Sequence, residues 1–167
     1  MEFQVGKALE DCTYPGIRQC FAIAGRRHSF MICTHVSPGS TAAEIEATFR
    51  EMRELGGNWV SSWHVIGPFS HFFNTTTAPW KSVQQVRNTF KESFGDTGAD
   101  HWILDVSKPR DEKVPRAEFD GIKTSLGYID IRADLAIADN KIRFYYRGEK
   151  GAQRPWTRLY NKSFRRF

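Results

Sequence analysis

The chain has 167 residues, of which 40% are hydrophobic and 14% aromatic, which is enough for one well-buried core and too few for two, so a single domain over residues 1–167 is predicted. The net charge is +5, but the 24 basic and 19 acidic residues are interspersed, which indicates an ordinary solvated surface rather than a dedicated polyanion-binding one. No apolar run approaches the ~20 residues of a membrane span, and the N-terminus lacks the layout of a signal peptide, so we expect a soluble cytoplasmic protein, or an effector delivered into a host cytosol without a classical signal peptide.

Three cysteines, Cys12, Cys20 and Cys33, are an odd and small number. A disulfide framework normally has an even set, so reduced thiols are expected. The run Cys33-Thr34-His35 does not predict a zinc site, because neighbouring residues of a strand point to opposite faces. Neither GxGxxG nor GxxxxGK[ST] is present, which excludes the usual dinucleotide and ATP folds.

The segment 17–36 predicts a β-hairpin. Two short runs rich in Ile, Phe and Val flank the break Gly25-Arg26-Arg27-His28. Cys20 lies early in the first run and His35 lies late in the second. Folding of the hairpin therefore brings the ends that carry these two side chains together.

The register decides whether Cys20 and His35 are neighbours, because side chains alternate between the two faces of a strand. A three-residue loop pairs Cys20 with Ile32 and sends His35 to the other face. A two-residue loop pairs Cys20 with Met31 and leaves His35 on the right face but too far along it. A four-residue loop pairs Cys20 with Cys33 and places His35 diagonally beside Cys20, with Cβ atoms roughly 7 Å apart. Of these three, only the four-residue loop makes a thiol and imidazole couple.

Two helices are predicted after the hairpin. Thr41 followed by Glu44 indicates a capping box, and apolar residues then recur at helical spacing until Gly56-Gly57. A second helix is expected to begin at Pro79 and end before Gly95. Strands are predicted over residues 59–66 and 102–106, and loops over residues 69–78 and 107–121.

A second hairpin follows the loop, with apolar residues at every second position from Ile129 to Ile137 and again from Ile142 to Tyr146. A two-residue loop at Asp139-Asn140 would place Ile137 opposite Ile142. Every apolar residue then shares one face. The tail after Gly148 is basic and aromatic and is expected to add a last strand or to lie as an extension.

The order of these elements predicts the α+β class. Antiparallel strands interrupted by two helices favour antiparallel or mixed β-sheets, sandwich-like, flanked by the two helices. The function then depends on what the first hairpin carries.

A cysteine at the start of a strand after a Gly-containing turn, followed one hairpin later by a histidine, resembles the catalytic pair of the glutamine deamidases. These include the cytotoxic necrotizing factor toxins and the chemotaxis receptor deamidase. The resemblance covers roughly Thr13 to Leu55. The family usually has Ser-Gly-Cys or Gly-Ser-Cys where this chain has Arg18-Gln19-Cys20. Some members carry a threonine a few residues before the cysteine, and Thr13 is the matching position.

The resemblance implies the roles of these residues. Cys20 is the nucleophile that attacks the side-chain carbonyl of a glutamine in a partner protein. His35 raises the thiolate fraction, protonates the departing ammonia and then activates water. Thr13 or a backbone carbonyl orients the imidazole ring of His35. The chemistry requires no metal and no organic cofactor.

Other interpretations of the same residues stay open. Cys20 and His35 also fit a small buried hydrophobe beside a structural histidine. A non-enzymatic binding module is the main alternative, because the strand 143–147 and the tail mix basic and aromatic residues as single-stranded nucleic acid binders do. Alternation places Phe144 and Tyr146 in the core, which disfavours a nucleic acid partner without excluding it. A protein partner bound by the aromatic segment 69–80 is a further alternative.

Overall fold

The structure is a computed structural model that describes residues 5–17, 19–106, 129–148, 155–159 and 164–166. The predicted loop 107–121 lies outside these ranges. The α-helices are α1 (Ala42–Glu54), α2 (Phe69–Asn74) and α3 (Val83–Phe94). The strands are β1 (Gly6–Ala8), β2 (Asp11–Ile17), β3 (Phe21–Arg27), β4 (Phe30–Val36), β5 (Ser62–Gly67), β6 (Asp100–Asp105), β7 (Ile129–Ala136), β8 (Lys141–Gly148), β9 (Thr157–Leu159) and β10 (Arg165–Arg166). Within the described ranges, no helix is both long and apolar enough to cross a membrane.

The strands form two sheets. Sheet A has six strands in the order β1-β4-β3-β5-β6-β10, and sheet B has four in the order β2-β7-β8-β9. Strands β5 and β6 run parallel because α2 and α3 carry the chain back across the sheet, whereas the other neighbouring pairs are antiparallel. The predicted α+β class with mixed sheets is confirmed.

The core has two parts, one on each face of sheet A. Alternation along β3 sends Ala24 toward sheet B, where it shares a buried cluster with Phe144. The next residue in the other direction, Ile23, packs on the helices with Phe49 of α1 and Phe90 of α3. The layers are therefore sheet B, sheet A and helices, in that order.

The first helix begins where the sequence predicts. The Oγ1 atom of Thr41 accepts a hydrogen bond from the backbone N–H of Glu44 at 3.2 Å, and the Glu44 carboxylate accepts one from the backbone N–H of Thr41 at 2.6 Å. This capping box is confirmed. The helix α3 starts later than Pro79, because Ser82 supplies the cap that accepts the N–H of Gln85.

The aromatic segment after Pro68 is a helix where a loop was predicted. Phe69 and Phe72 of α2 are buried, and their rings lie 4.5 and 4.0 Å from the ring of Phe21 between centroids. Trp80, which follows α2, is also buried and stacks on Phe21. These side chains cover one face of β3. The main aromatic residues of segment 69–80 are therefore part of the core, which argues against a protein-docking surface on this segment.

All three predicted registers of the first hairpin are wrong. The turn is His28-Ser29, with Arg27 paired to Phe30. Gly25, interpreted from sequence as part of the turn, lies inside β3 beneath the indole of Trp63. A Cβ at Gly25 would sit 2.1 Å from Cζ3 of Trp63, so this glycine allows a close approach of β5 rather than a turn.

The register of the second hairpin also differs from the predicted one. Leu135 pairs with Ile142, and the turn spans residues 137–140, where a two-residue loop was predicted. The shift is by an even number of residues, so the predicted inward face is retained and Phe144 stays in the core. The predicted inward position of Ile137 is wrong, because this residue lies in the turn and is 59% exposed.

Candidate functional site

Cys20 and His35 lie on the same face of the first hairpin. His35 pairs with Ala22, and Cys20 lies one residue before β3, two residues from Ala22. If the strand geometry continues through Cys20, it makes Cys20 the diagonal neighbour of His35, for which a separation of roughly 7 Å between Cβ atoms is usual. The observed register differs from the predicted four-residue loop by an even number of residues, which keeps the two side chains on one face although the predicted loop is wrong.

The face that carries the pair is the one that packs on sheet B. Ala22 and Cys33, the strand neighbours of the pair, are buried in the cluster between the sheets. Cys20 packs at the edge of this cluster and, like His35, is only partly buried. The thiol and the imidazole thus lie at a boundary where apolar surroundings meet solvent.

The end of β5 holds the backbone at Cys20. A Cβ at Gly67 would lie 2.8 Å from the carbonyl oxygen of Cys20 and 2.3 Å from Cδ1 of Phe21. No larger residue fits at Gly67 without moving one of these groups. The strand end therefore fixes the position from which the Cys20 side chain projects.

Burial sets the protonation of both groups. It raises the pKa of the Cys20 thiol, an effect that a hydrogen bond from the backbone of Gln19 only partly offsets. It lowers the pKa of the His35 imidazole. In the free protein near neutral pH, Cys20 is a thiol and His35 is a neutral imidazole. The pair is not a thiolate and imidazolium ion pair at rest.

Thr13 is placed away from His35. It lies on β2 in sheet B, paired with Arg132, and is exposed. Its neighbours Cys12 and Tyr14 pack in the cluster between the sheets, so alternation sends Thr13 to the outer face of sheet B. The structure does not bring Thr13 to the imidazole, which argues against its expected role as the orienting residue.

Tyr14 makes a contact between the two sheets that the sequence does not predict. Its buried hydroxyl donates a hydrogen bond of 2.7 Å to the backbone carbonyl of Ile23. This bond joins β2 of sheet B to β3 of sheet A. The alternation of β2 signals that Tyr14 points inward, but no local pattern identifies its partner.

Three arginines on the outer face of sheet B are paired with carboxylates. Arg147 pairs with Asp130 at 2.8 Å, Arg132 pairs with Asp134 at 2.6 Å, and Arg143 pairs with Asp139. Phosphate binding would have to compete with these ion pairs. The geometry therefore does not favour the nucleic acid alternative.

Within the described parts of the chain, no three His, Cys, Asp or Glu side chains gather as metal ligands. Comparisons with known proteins add no identification, since the chain matches no family model, no curated protein and no solved structure.

Proposed function

We propose that the protein is a protein-glutamine deamidase, a hydrolase that uses Cys20 as nucleophile and His35 as acid and base. The observation that carries the proposal is the diagonal placement of these side chains on one face of the β3–β4 hairpin. The resemblance to the glutamine deamidases supports it, since that family uses a cysteine and a histidine on neighbouring strands.

The first half of the reaction needs a base rather than a preformed thiolate. His35, neutral because burial lowers its pKa, takes the proton from the Cys20 thiol as the sulfur attacks the Cδ carbonyl carbon of the glutamine. A C–S bond forms and the carbonyl oxygen becomes an oxyanion. The imidazolium then gives its proton to the amide nitrogen, the C–N bond breaks and ammonia leaves.

The second half returns the enzyme to its starting state. The product of the first half is a thioester between Cys20 and the former glutamine side chain, beside a neutral His35. The imidazole takes a proton from water as the water oxygen attacks the thioester carbon. The C–S bond breaks, the sulfur recovers its proton from His35 and glutamate is released.

A protein substrate fits the position of the pair. Cys20 keeps part of its surface in solvent at the edge of the core between the sheets, where a glutamine side chain on another protein can reach it. The thiol must stay reduced, so the proposed setting is a cytosol, either the cell's own or that of a host that receives the protein as an effector.

The test is a search for amide-to-acid conversion in proteins. A bacterial and a host cell lysate are incubated with wild type, Cys20→Ser or His35→Ala, and glutamine-to-glutamate shifts are read by peptide mass spectrometry. Specific sites are expected to convert with wild type and not with Cys20→Ser, because the serine hydroxyl ionises far less readily. For His35→Ala the expected loss is about 10²- to 10⁴-fold, the usual worth of general acid–base catalysis.

Cys12→Ser is the matched control, since Cys12 is also a partly buried thiol but lies on β2. It is expected to convert the same sites as wild type. Thr13→Ala is also expected to retain activity, because Thr13 faces outward. Equal conversion by wild type and Cys20→Ser would end the deamidase proposal.

A further inference from the structure

A cavity lies at the opposite end of β3 from Cys20. It has a volume of about 340 Å³ and opens between the two sheets, where β3 ends, β5 and β6 begin and the β7–β8 turn closes over them. Its lining includes Arg26, Ser61, His64, Trp102, Ile142 and Phe164. The size suits one small molecule.

The cavity contains a buried cation whose charge is not balanced by a described carboxylate. Arg26 is 7% exposed, and its Nη1 atom donates a hydrogen bond of 2.7 Å to Oγ of Ser61. Its Nε atom is buried and has no hydrogen-bond partner in the described part of the chain. Asp100 also lines the cavity, but its carboxylate pairs with Arg166. Among the described residues, none forms an ion pair with Arg26.

A buried guanidinium without a counter-charge is unfavourable for the stability of the fold. A guanidinium remains charged in proteins, and taking a charge out of water without a counter-charge is strongly unfavourable. A carboxylate that enters the cavity would supply the missing charge. The planar N–H groups of arginine match the two oxygens of a carboxylate, which gives both strength and orientation.

The remaining walls specify the rest of the ligand. Ile142 and Phe164 are buried, and Trp102 is partly buried beside them. The imidazole of His64 packs between the rings of Phe144 and Phe164, at 4.9 and 5.4 Å between centroids. Apolar and aromatic walls around one cation favour a ligand with an apolar body and a single anionic group.

We propose that this cavity is a binding site for a small organic monocarboxylate with an apolar, preferably aromatic, body, held by Arg26. The site lies at the other end of β3 from Cys20 and does not rest on the deamidase proposal. It gives the chain a small-molecule ligand in addition to its proposed protein substrate.

The test compares a carboxylate with its neutral analogue. Phenylacetate and phenylacetamide are titrated into the full chain by calorimetry, with the Arg26 Nε–H resonance followed by NMR. Phenylacetate is expected to bind and to shift the Arg26 resonance, whereas phenylacetamide is expected to bind at least about tenfold more weakly, because the amide leaves the guanidinium charge unbalanced. Inorganic phosphate tests whether the anionic group alone is sufficient.

Arg26→Met removes the charge but keeps much of the side-chain volume, and Arg27→Met is its matched control. Arg27 lies on the other face of β3, with its guanidinium 5.3 Å from the ring centroid of Phe30. Phenylacetate binding is expected to be lost in Arg26→Met and retained in Arg27→Met and Cys20→Ser. The comparison of the two ligands uses wild type alone, so it stands even if Arg26→Met does not fold.

Three outcomes would overturn the proposal. They are equal binding of phenylacetate and phenylacetamide, undiminished binding to a folded Arg26→Met variant, and binding of inorganic phosphate without binding of phenylacetate. None of the three bears on Cys20 chemistry, so the two proposals can fail separately.

Discussion

The thiols of Cys12 and Cys33 are neighbours in the cluster between the two sheets. Cys33 lies on β4 of sheet A and Cys12 lies on β2 of sheet B. Hydrogen bonding between the two thiols lowers the pKa of Cys12 and raises that of Cys33, and burial raises the pKa of Cys33 further. The three cysteines therefore differ in the ease with which they form thiolates.

Alkylation by iodoacetamide near neutral pH is expected to modify Cys12 faster than Cys20, and Cys33 slowest. Only the thiolate reacts, and the pKa of Cys12 is lowered whereas that of Cys20 is raised by burial. Time-resolved mass spectrometry of labelled peptides measures the three rates. The resemblance to the deamidases, taken alone, implies a different order, in which His35 makes Cys20 the most reactive of the three thiols.

The variant Cys33→Ala tests whether Cys12 reacts quickly because of its lowered pKa or only because its thiol is exposed. The variant removes the hydrogen bond that stabilises the Cys12 thiolate, so labelling of Cys12 is expected to slow while labelling of Cys20 keeps its rate. Fastest labelling at Cys20 in wild type would show instead that His35 activates the thiol in the free protein.

His64 makes stability depend on pH. Burial lowers its pKa from 6.5 to about 3 in the folded protein. The neutral form is held in the fold, so the unfolded chain alone takes up a proton as the pH falls below 6.5. The stability present at higher pH is lost as the pH falls toward 3. Between about pH 7 and pH 5 the loss from this residue is about 2 kcal/mol, from the proton linkage of one group.

Urea unfolding of wild type and His64→Phe at these two pH values measures the loss. Phenylalanine fits between the neighbouring rings of Phe144 and Phe164 and does not titrate. The variant is expected to lose about 2 kcal/mol less than wild type on acidification. An identical pH dependence in wild type and His64→Phe would contradict this assignment.

Gly25→Ala is expected to destabilise the protein by about 1 to 3 kcal/mol, the usual cost of overpacking. In most strands the same change is favourable, since glycine loses more conformational freedom on folding. The sign is reversed here because the new Cβ would meet the indole of Trp63 at 2.1 Å. Thermal or urea unfolding measures the change.

Gly6→Ala is the control for this prediction. A Cβ at Gly6 on β1 would have its nearest neighbour at 4.0 Å, the carbonyl oxygen of Cys33. Gly6→Ala is therefore expected to leave stability unchanged or to raise it by up to about 1 kcal/mol. A Gly25→Ala variant as stable as Gly6→Ala would show that Trp63 moves aside at no cost.

Gly25 also shows why the sequence predicts the elements of the first hairpin but not its register. A glycine in a short polar break is the usual signal of a turn, and nothing local reveals that Trp63, on another strand, lies against it. The register that places His35 opposite Ala22 depends on long-range packing of this kind. Apolar alternation survives any even shift, so the sequence identifies which residues share a face without identifying which residues pair.

The residues of the two proposed sites also differ in how far the sequence predicts their positions. Cys20 and His35 share a face because the observed turn has an even number of residues, as two of the three predicted loops do. Thr13 was assigned from the resemblance, and the alternation of Cys12 and Tyr14 into the core sends it outward. Arg26 was interpreted as a turn residue. Its burial depends on contacts with Ser61 and with sheet B that are remote in sequence.

The last prediction concerns the pH dependence of deamidation. The proposed mechanism needs neutral His35 as the base that takes the Cys20 proton. Burial lowers the pKa of His35 below 6.5, so the neutral form persists at lower pH than for an ordinary histidine. Activity is expected to rise with pH through a midpoint below 6.5 and then to remain high through neutral pH.

The pH profile of kcat/KM for a peptide that contains the converted glutamine measures this midpoint, with circular dichroism at each pH as the control for folding. The profile reports groups of the free enzyme, so the midpoint belongs to His35 before substrate binds. A midpoint above 6.5 would mean that a negative charge holds the proton on the imidazole. Cys20 and His35 would then form a thiolate and imidazolium pair at rest, and the base step proposed for the free thiol would be wrong.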